Sequence, residues 1–151
     1  MAVAIYFIDG LGGPPDAWHN LICDIAKVFP DAEIYRHDRM SSRLIVQMRE
    51  ELPDTKIVAV GHSLGGERIE QLAASGIKLH AAVLIDAVRG DWEKRPFNIQ
   101  ANWAISFTRR WLFGFPPSYG IPGRDVKITA GHNNIIDRAK DAIAAWLRGV
   151  I

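Results

Sequence analysis

The sequence predicts an α/β protein of three layers, with helices on both faces of a doubly wound, mostly parallel sheet of six strands. Two observations carry this. Short, unbroken apolar runs such as AVAIYFI, KIVAV and AAVLI read as strands buried on both faces of a parallel sheet. Between them lie segments with helical spacing of apolar residues, and repeated strand and helix alternation implies right-handed crossovers.

The first strand spans Ala2 to Ile8 and ends at Asp9-Gly10, followed by a Gly/Pro-rich turn. Asp16 is placed to cap a helix running through Lys27, on which Ala17, Leu21, Ile25 and Val28 recur at helical intervals and which Pro30 ends. A weaker strand, Ala32 to Arg36, precedes a helix over Ser41 to Leu52 with Leu44, Ile45 and Met48 on one face, and Pro53-Asp54 closes it. Lys56 to Val60 is the third strand and Leu64 to Ala74 the third helix, which Ser75-Gly76 stops; Ala81 to Ile85 is the fourth strand. Thereafter the pattern loosens. Asp91 to Asn98 reads as loop, Trp103 to Phe107 as the fifth strand, Val126 to Ala130 as the sixth and Ile135 to Leu147 as the last helix, with no internal repeat.

A chain of 151 residues can bury one core and is too short for two ordinary domains, so residues 1–151 read as one domain. Apolar residues make up 48% and charged residues 23%, the usage of a globular chain. The net charge of +1 is scattered, which argues against a nucleic-acid partner. Cys23 stands alone, which excludes an intrachain disulfide and a structural zinc site; it reads as a small core residue on a helix. No apolar stretch reaches the roughly 20 residues of a membrane span. The start lacks a basic region, and Asp9-Gly10 interrupts its apolar run too early for a secretory leader, so the cytoplasm is the expected compartment. No metal or cofactor is expected, and the oligomeric state stays open.

Gly61-His62-Ser63-Leu64-Gly65-Gly66 stands where a buried strand gives way to a helix, the setting in which G-x-S-x-G marks a nucleophile. A serine in so sharp a turn takes strained backbone angles, and Gly61 and Gly65 relieve the crowding. Its hydroxyl is then held out over the sheet edge. The helix that follows points free N–H groups, with that of Leu64 first, at an oxyanion formed during acyl transfer. A phosphate-binding turn fits less well, because the P-loop lysine and the G-x-G-x-x-G spacing are missing.

GHSLGG after KIVAV resembles the nucleophile elbow of the α/β-hydrolase superfamily, especially its minimal bacterial lipases and esterases. The likeness covers nearly the whole chain in element order, without the two leading antiparallel strands of larger members. It implies strand order 2-1-3-4-5-6, with a topological switch between strands 1 and 3 where ligands bind. Asp9-Gly10-Leu11-Gly12-Gly13 is similar to the HGxGG loop of lipases, which implies that Leu11 N–H is the second oxyanion donor. Asp9 replaces the usual histidine, and the departure bears on how the loop is anchored.

Ser63 needs a base to take its proton. His132, in Ala130-Gly131-His132-Asn133-Asn134 after the last strand, stands where the family keeps its catalytic histidine. His62 is expected to pack under the elbow, His19 to be exposed or capping, and His37 and His80 are given no chemistry. The third member should be a carboxylate that holds the imidazole. Asp86 ends the fourth strand at the same sheet edge as Ser63. Many family members carry the acid one strand later, but there this chain has Thr108-Arg109-Arg110 and no carboxylate before Asp125. Asp91 is the rival, and Asp137 reads as an acid at the N-terminus of the last helix.

The stretch from Trp92 to Tyr119 is dense in aromatics; Phe107 and Trp103 are expected in the core. Trp111 and Phe113, within Trp111 to Pro117, either wall an acyl pocket or form an interface or sheet-edge cover. The sequence thus points to a serine hydrolase of a small carboxylic ester, acting through an acyl-enzyme with Ser63, His132 and Asp86. The alternatives are an acyl thioesterase with the same triad and a non-catalytic binding or regulatory protein on the same scaffold.

Overall fold

In the computed structural model of the chain, the structure describes residues 2–11, 16, 18–91, 94–110 and 118–151. In order these form β1 (Val3–Asp9), α1 (His19–Val28), β2 (Glu33–Asp38), α2 (Ser42–Glu50), β3 (Lys56–His62), α3 (Leu64–Ala74), β4 (Leu79–Ile85), β5 (Ala101–Arg109), β6 (Asp125–Ile128) and α4 (Ile135–Val150). The sheet order is β2-β1-β3-β4-β5-β6, and every neighbouring pair is parallel. All strands therefore end at one edge.

The side chains of β1 show why its apolar run is unbroken. Tyr6 and Ile8 point into a core with Leu44 and Met48 of α2 and Ile69 and Leu72 of α3. Ile5 and Phe7 point the other way, onto Leu21 and Ile25 of α1 and Ile136, Ile143 and Leu147 of α4. Each fully buried side chain of this size contributes about 1.5–3 kcal/mol. The edge strands β2 and β6 have one flank only and are largely half-exposed.

Three expectations are corrected by packing. Asp16 does not cap α1, whose N-cap is Trp18 with no side-chain hydrogen bond. Trp18 is buried, its ring edge-on to Phe7 at 5.2 Å, so the start of the helix is set by that anchor. Cys23 is half-buried, its Sγ 3.8 Å from His19 Nε2 on the outer face of α1, and is not a core residue. Trp103 is 50% exposed: β5 begins before the helical layers cover it, and burial sets in at Ala104. Trp92, Trp111, Phe113 and Phe115 lie outside the described residues.

α3 crosses the end of β1 closely. A Cβ added to Gly65 would stand 2.1 Å from Ile8 O, against backbone that cannot yield. Gly65→Ala is expected to destabilise the fold by about 3 kcal/mol, read from urea unfolding; an unchanged midpoint would mean that α3 can lift away from β1.

Candidate active site

Ser63 joins β3 to α3 with φ 55° and ψ −123°, outside the regions comfortable for a residue with a Cβ. Its backbone is tied on both sides: the N–H donates to Ile85 O at 3.0 Å, and the carbonyl accepts from Gly66 N and Val88 N, each at 3.1 Å. The end of β4 thus holds the turn in place. Gly10 lies directly against it, since a Cβ there would come within 2.7 Å of Ser63 Cβ and 3.1 Å of Leu64 N. The loop after β1 and the first turn of α3 therefore meet beside Ser63, with Leu11 next in the chain and exposed.

Asp9 is anchored by partners that sequence reasoning missed. Trp18 Nε1–H donates to its carboxylate, and Arg36 pairs with it at 3.0 Å from the neighbouring β2. The Asp9 carboxylate is thus matched by a cation across the strand pair, which keeps the end of β1 fixed.

Asp86 follows β4 with φ 45° and is fully buried. Its Oδ2 accepts a hydrogen bond from His132 Nδ1 and pairs with Arg109 Nε at 2.6 Å. Burial alone would raise its pKa, but the hydrogen bond from His132 and the pairing with the Arg109 guanidinium outweigh this and hold it at about 2. Asp86 is a carboxylate at neutral pH. It fixes the His132 tautomer with the proton on Nδ1, leaving Nε2 as the basic nitrogen. Asp91 is exposed in the loop beyond β4, and Asp137 sits in the first turn of α4, accepting from Asn20 Nδ2 at 3.1 Å.

His132 lies in the turn before α4, where Asn134 Oδ1 accepts from Gly131 N–H at 2.7 Å. His62 braces it from below. The His62 Nε2–H donates to His132 O at 3.1 Å, and the two rings lie 4.6 Å apart. Trp18 meets the His62 ring edge-on at 6.4 Å. The other histidines are taken up elsewhere: His37 bonds Gln47 at 2.9 Å, His80 donates to Val150 O at 2.7 Å, and His19 is exposed.

Burial, helped by the nearby His132 ring, lowers the His62 pKa from 6.5 to about 4. Between those values the unfolded chain takes up a proton that the folded chain refuses. The stability contributed by neutral His62 is therefore complete above pH 6.5 and lost as pH falls through about 4. Urea midpoints measured from pH 7 down to pH 4 are expected to fall by the equivalent of up to about 3 kcal/mol, and His62→Asn to flatten that slope.

A hollow of about 300 Å³ beside the elbow is lined by Arg39, Met40, Leu64, Glu67, Arg68 and Gln71. A larger one of about 700 Å³ lies at the opposite edge, among Lys56, Lys78 and His80, away from Ser63, Asp86 and His132. Among the described residues no three His, Cys, Asp or Glu side chains are grouped to share a metal ion, and no helix is long and apolar enough to cross a membrane.

Against solved structures, this geometry finds whole-chain matches. A YdeN-like hydrolase of Pectobacterium atrosepticum superposes with a TM-score of 0.59 at 16% identity, covering 99% of this chain and 93% of the other. The methylesterase MES16 of Arabidopsis gives a TM-score of 0.62 at 12% identity, covering 98% of each chain. This chain has the α/β-hydrolase fold. A Trichoderma reesei cutinase, solved with a phosphonate inhibitor, matches at a TM-score of 0.56 and 13% identity over 98% of this chain and 75% of its own. No family model and no curated protein sequence matches. At these identities the likeness carries the fold, and the chemistry has to be argued from the side chains.

Proposed function

We propose that this protein is a serine hydrolase of small carboxylic esters. The observation that carries the reading is the buried, ionised Asp86 on Nδ1 of His132, at the sheet edge where Ser63 sits in a strained strand-to-helix turn. In this mechanism Ser63 Oγ attacks the ester carbonyl carbon as its proton passes to His132 Nε2. The imidazolium is stabilised by Asp86, and the oxyanion by the N–H groups of Leu64 and Leu11. Collapse breaks the ester bond, and the departing alkoxide takes the proton from His132. Water then attacks the acyl-enzyme with His132 again as base, releasing the acid and restoring Ser63. A thiol leaving group would follow the same steps, so a thioester is the alternative substrate.

The similarity to a methylesterase and a cutinase supports an ester as substrate. The test is a fluorophosphonate probe, whose phosphorus a competent serine Oγ attacks, forming an O–P bond and displacing fluoride. One adduct per chain is expected, mapped to Ser63 by mass spectrometry, together with turnover of activated esters or acyl thioesters of graded length. An unlabelled protein that also leaves every ester and thioester intact would instead be a binding protein on this scaffold.

A further inference from the structure

The turn after β2 and the first turns of α3 enclose the 300 Å³ hollow beside the elbow, and Leu64, next in the chain to Ser63, forms part of its wall. We propose that this hollow binds the negatively charged end of the substrate, a carboxylate on a short aliphatic chain. The proposal rests on the hydrolase reading above and names the substrate class.

Charge accounting around the arginines supports it. Arg39, Arg68 and Arg89 each have a buried Nε without a hydrogen bond among the described residues. Arg89 is neutralised by Glu70 at 2.5 Å and Arg109 by Asp86 at 2.6 Å. Arg39 and Arg68, both in the hollow, form no ion pair among the described residues; Arg68 reaches only Gln71 Oε1 at 3.4 Å.

Glu67 is the one acid among the residues that line the hollow. Glu67 accepts from Gly90 N–H at 3.1 Å, and Asp38 from Met40 N–H at 2.8 Å. The hollow therefore presents two guanidinium groups against one carboxylate. A buried donor left unsatisfied is costly, and a guanidinium fork matches a carboxylate in geometry as well as charge. Met40 and Leu64 supply apolar wall for the methylenes that would connect that carboxylate to the scissile ester, and the volume suits a short chain.

The test compares p-nitrophenyl hemiglutarate with its methyl-capped counterpart, which has nearly the same shape and no charge. A second pair, 4-acetoxybutanoate and its methyl ester, carries the carboxylate on the leaving-group side. In at least one pair the charged ester should be preferred in kcat/KM by about tenfold or more at low ionic strength. The preference should collapse toward parity in Arg39→Gln and Arg68→Gln. Because the ratio is read within each variant, a general loss of activity cancels. Parity in the parent, or a preference that survives both substitutions, overturns the proposal. If no ester is turned over, the hydrolase reading fails and the hollow is judged by calorimetry with glutarate: binding lost in Arg39→Gln retains the anion site, and no binding to the parent removes it.

Discussion

Ser63→Ala is expected to lower ester turnover by about five to six orders of magnitude while the protein stays folded. The size of the loss follows from the nucleophile's place in the cycle, since without Oγ no acyl-enzyme forms and His132 has no proton to accept. The small structural effect follows from the turn. The elbow is held by backbone bonds from Ser63 N–H to Ile85 O and from Gly66 and Val88 N–H to Ser63 O, none of which needs the hydroxyl. Strain provides an internal check. At φ 55° and ψ −123° a residue with a Cβ is penalised, so Ser63→Gly should be as inactive as Ser63→Ala yet more stable, by about 1 kcal/mol. Turnover in the alanine variant near that of the parent would place the nucleophile elsewhere.

The sequence shows the scaffold because a parallel sheet covered on both faces imposes local patterns. β1, β3 and β4 must be apolar throughout, and α3 begins at the residue after Ser63 because the elbow ends the strand there. The edge strands were harder to bound, since half-exposed β6 carries a weak pattern; it begins at Asp125 and stops at Ile128. The neighbours of the site were not legible for a different reason. Arg36 reaches Asp9 from the neighbouring strand, Arg109 reaches Asp86 from the next strand, and His62 braces the carbonyl of a residue 70 positions away. No short-range spacing records such pairings. One signal was present: the strand after β4 ends in Thr108-Arg109-Arg110, a cation and no acid. An acid at the end of β4 beside a cation at the end of β5 is a charge pair between adjacent strands, and it marks Asp86 as the ionised member.

Asp86→Asn is expected to lower turnover by about four orders of magnitude, with KM little changed, whereas Asp91→Asn should stay near the parent. An amide in place of the carboxylate cannot offset the imidazolium that His132 becomes, and its NH2 group can turn the ring to the wrong tautomer. The same substitution removes the carboxylate with which the Arg109 guanidinium, its side chain 14% exposed, is paired, so a loss of stability of about 3 kcal/mol should accompany it. That loss has a pH signature. The Asp86 pKa is lowered from 3.8 to about 2, so its contribution is complete above pH 3.8 and disappears as pH falls to about 2. The stability gap between parent and Asp86→Asn should narrow over that interval. Stability and catalysis can then be separated by adding Arg109→Met, which removes the largely buried guanidinium as well. The double variant should recover much of the lost stability and almost none of the lost turnover. If turnover returned with stability, Asp86 would serve only to neutralise Arg109, and the orientation of His132 would have to come from another group.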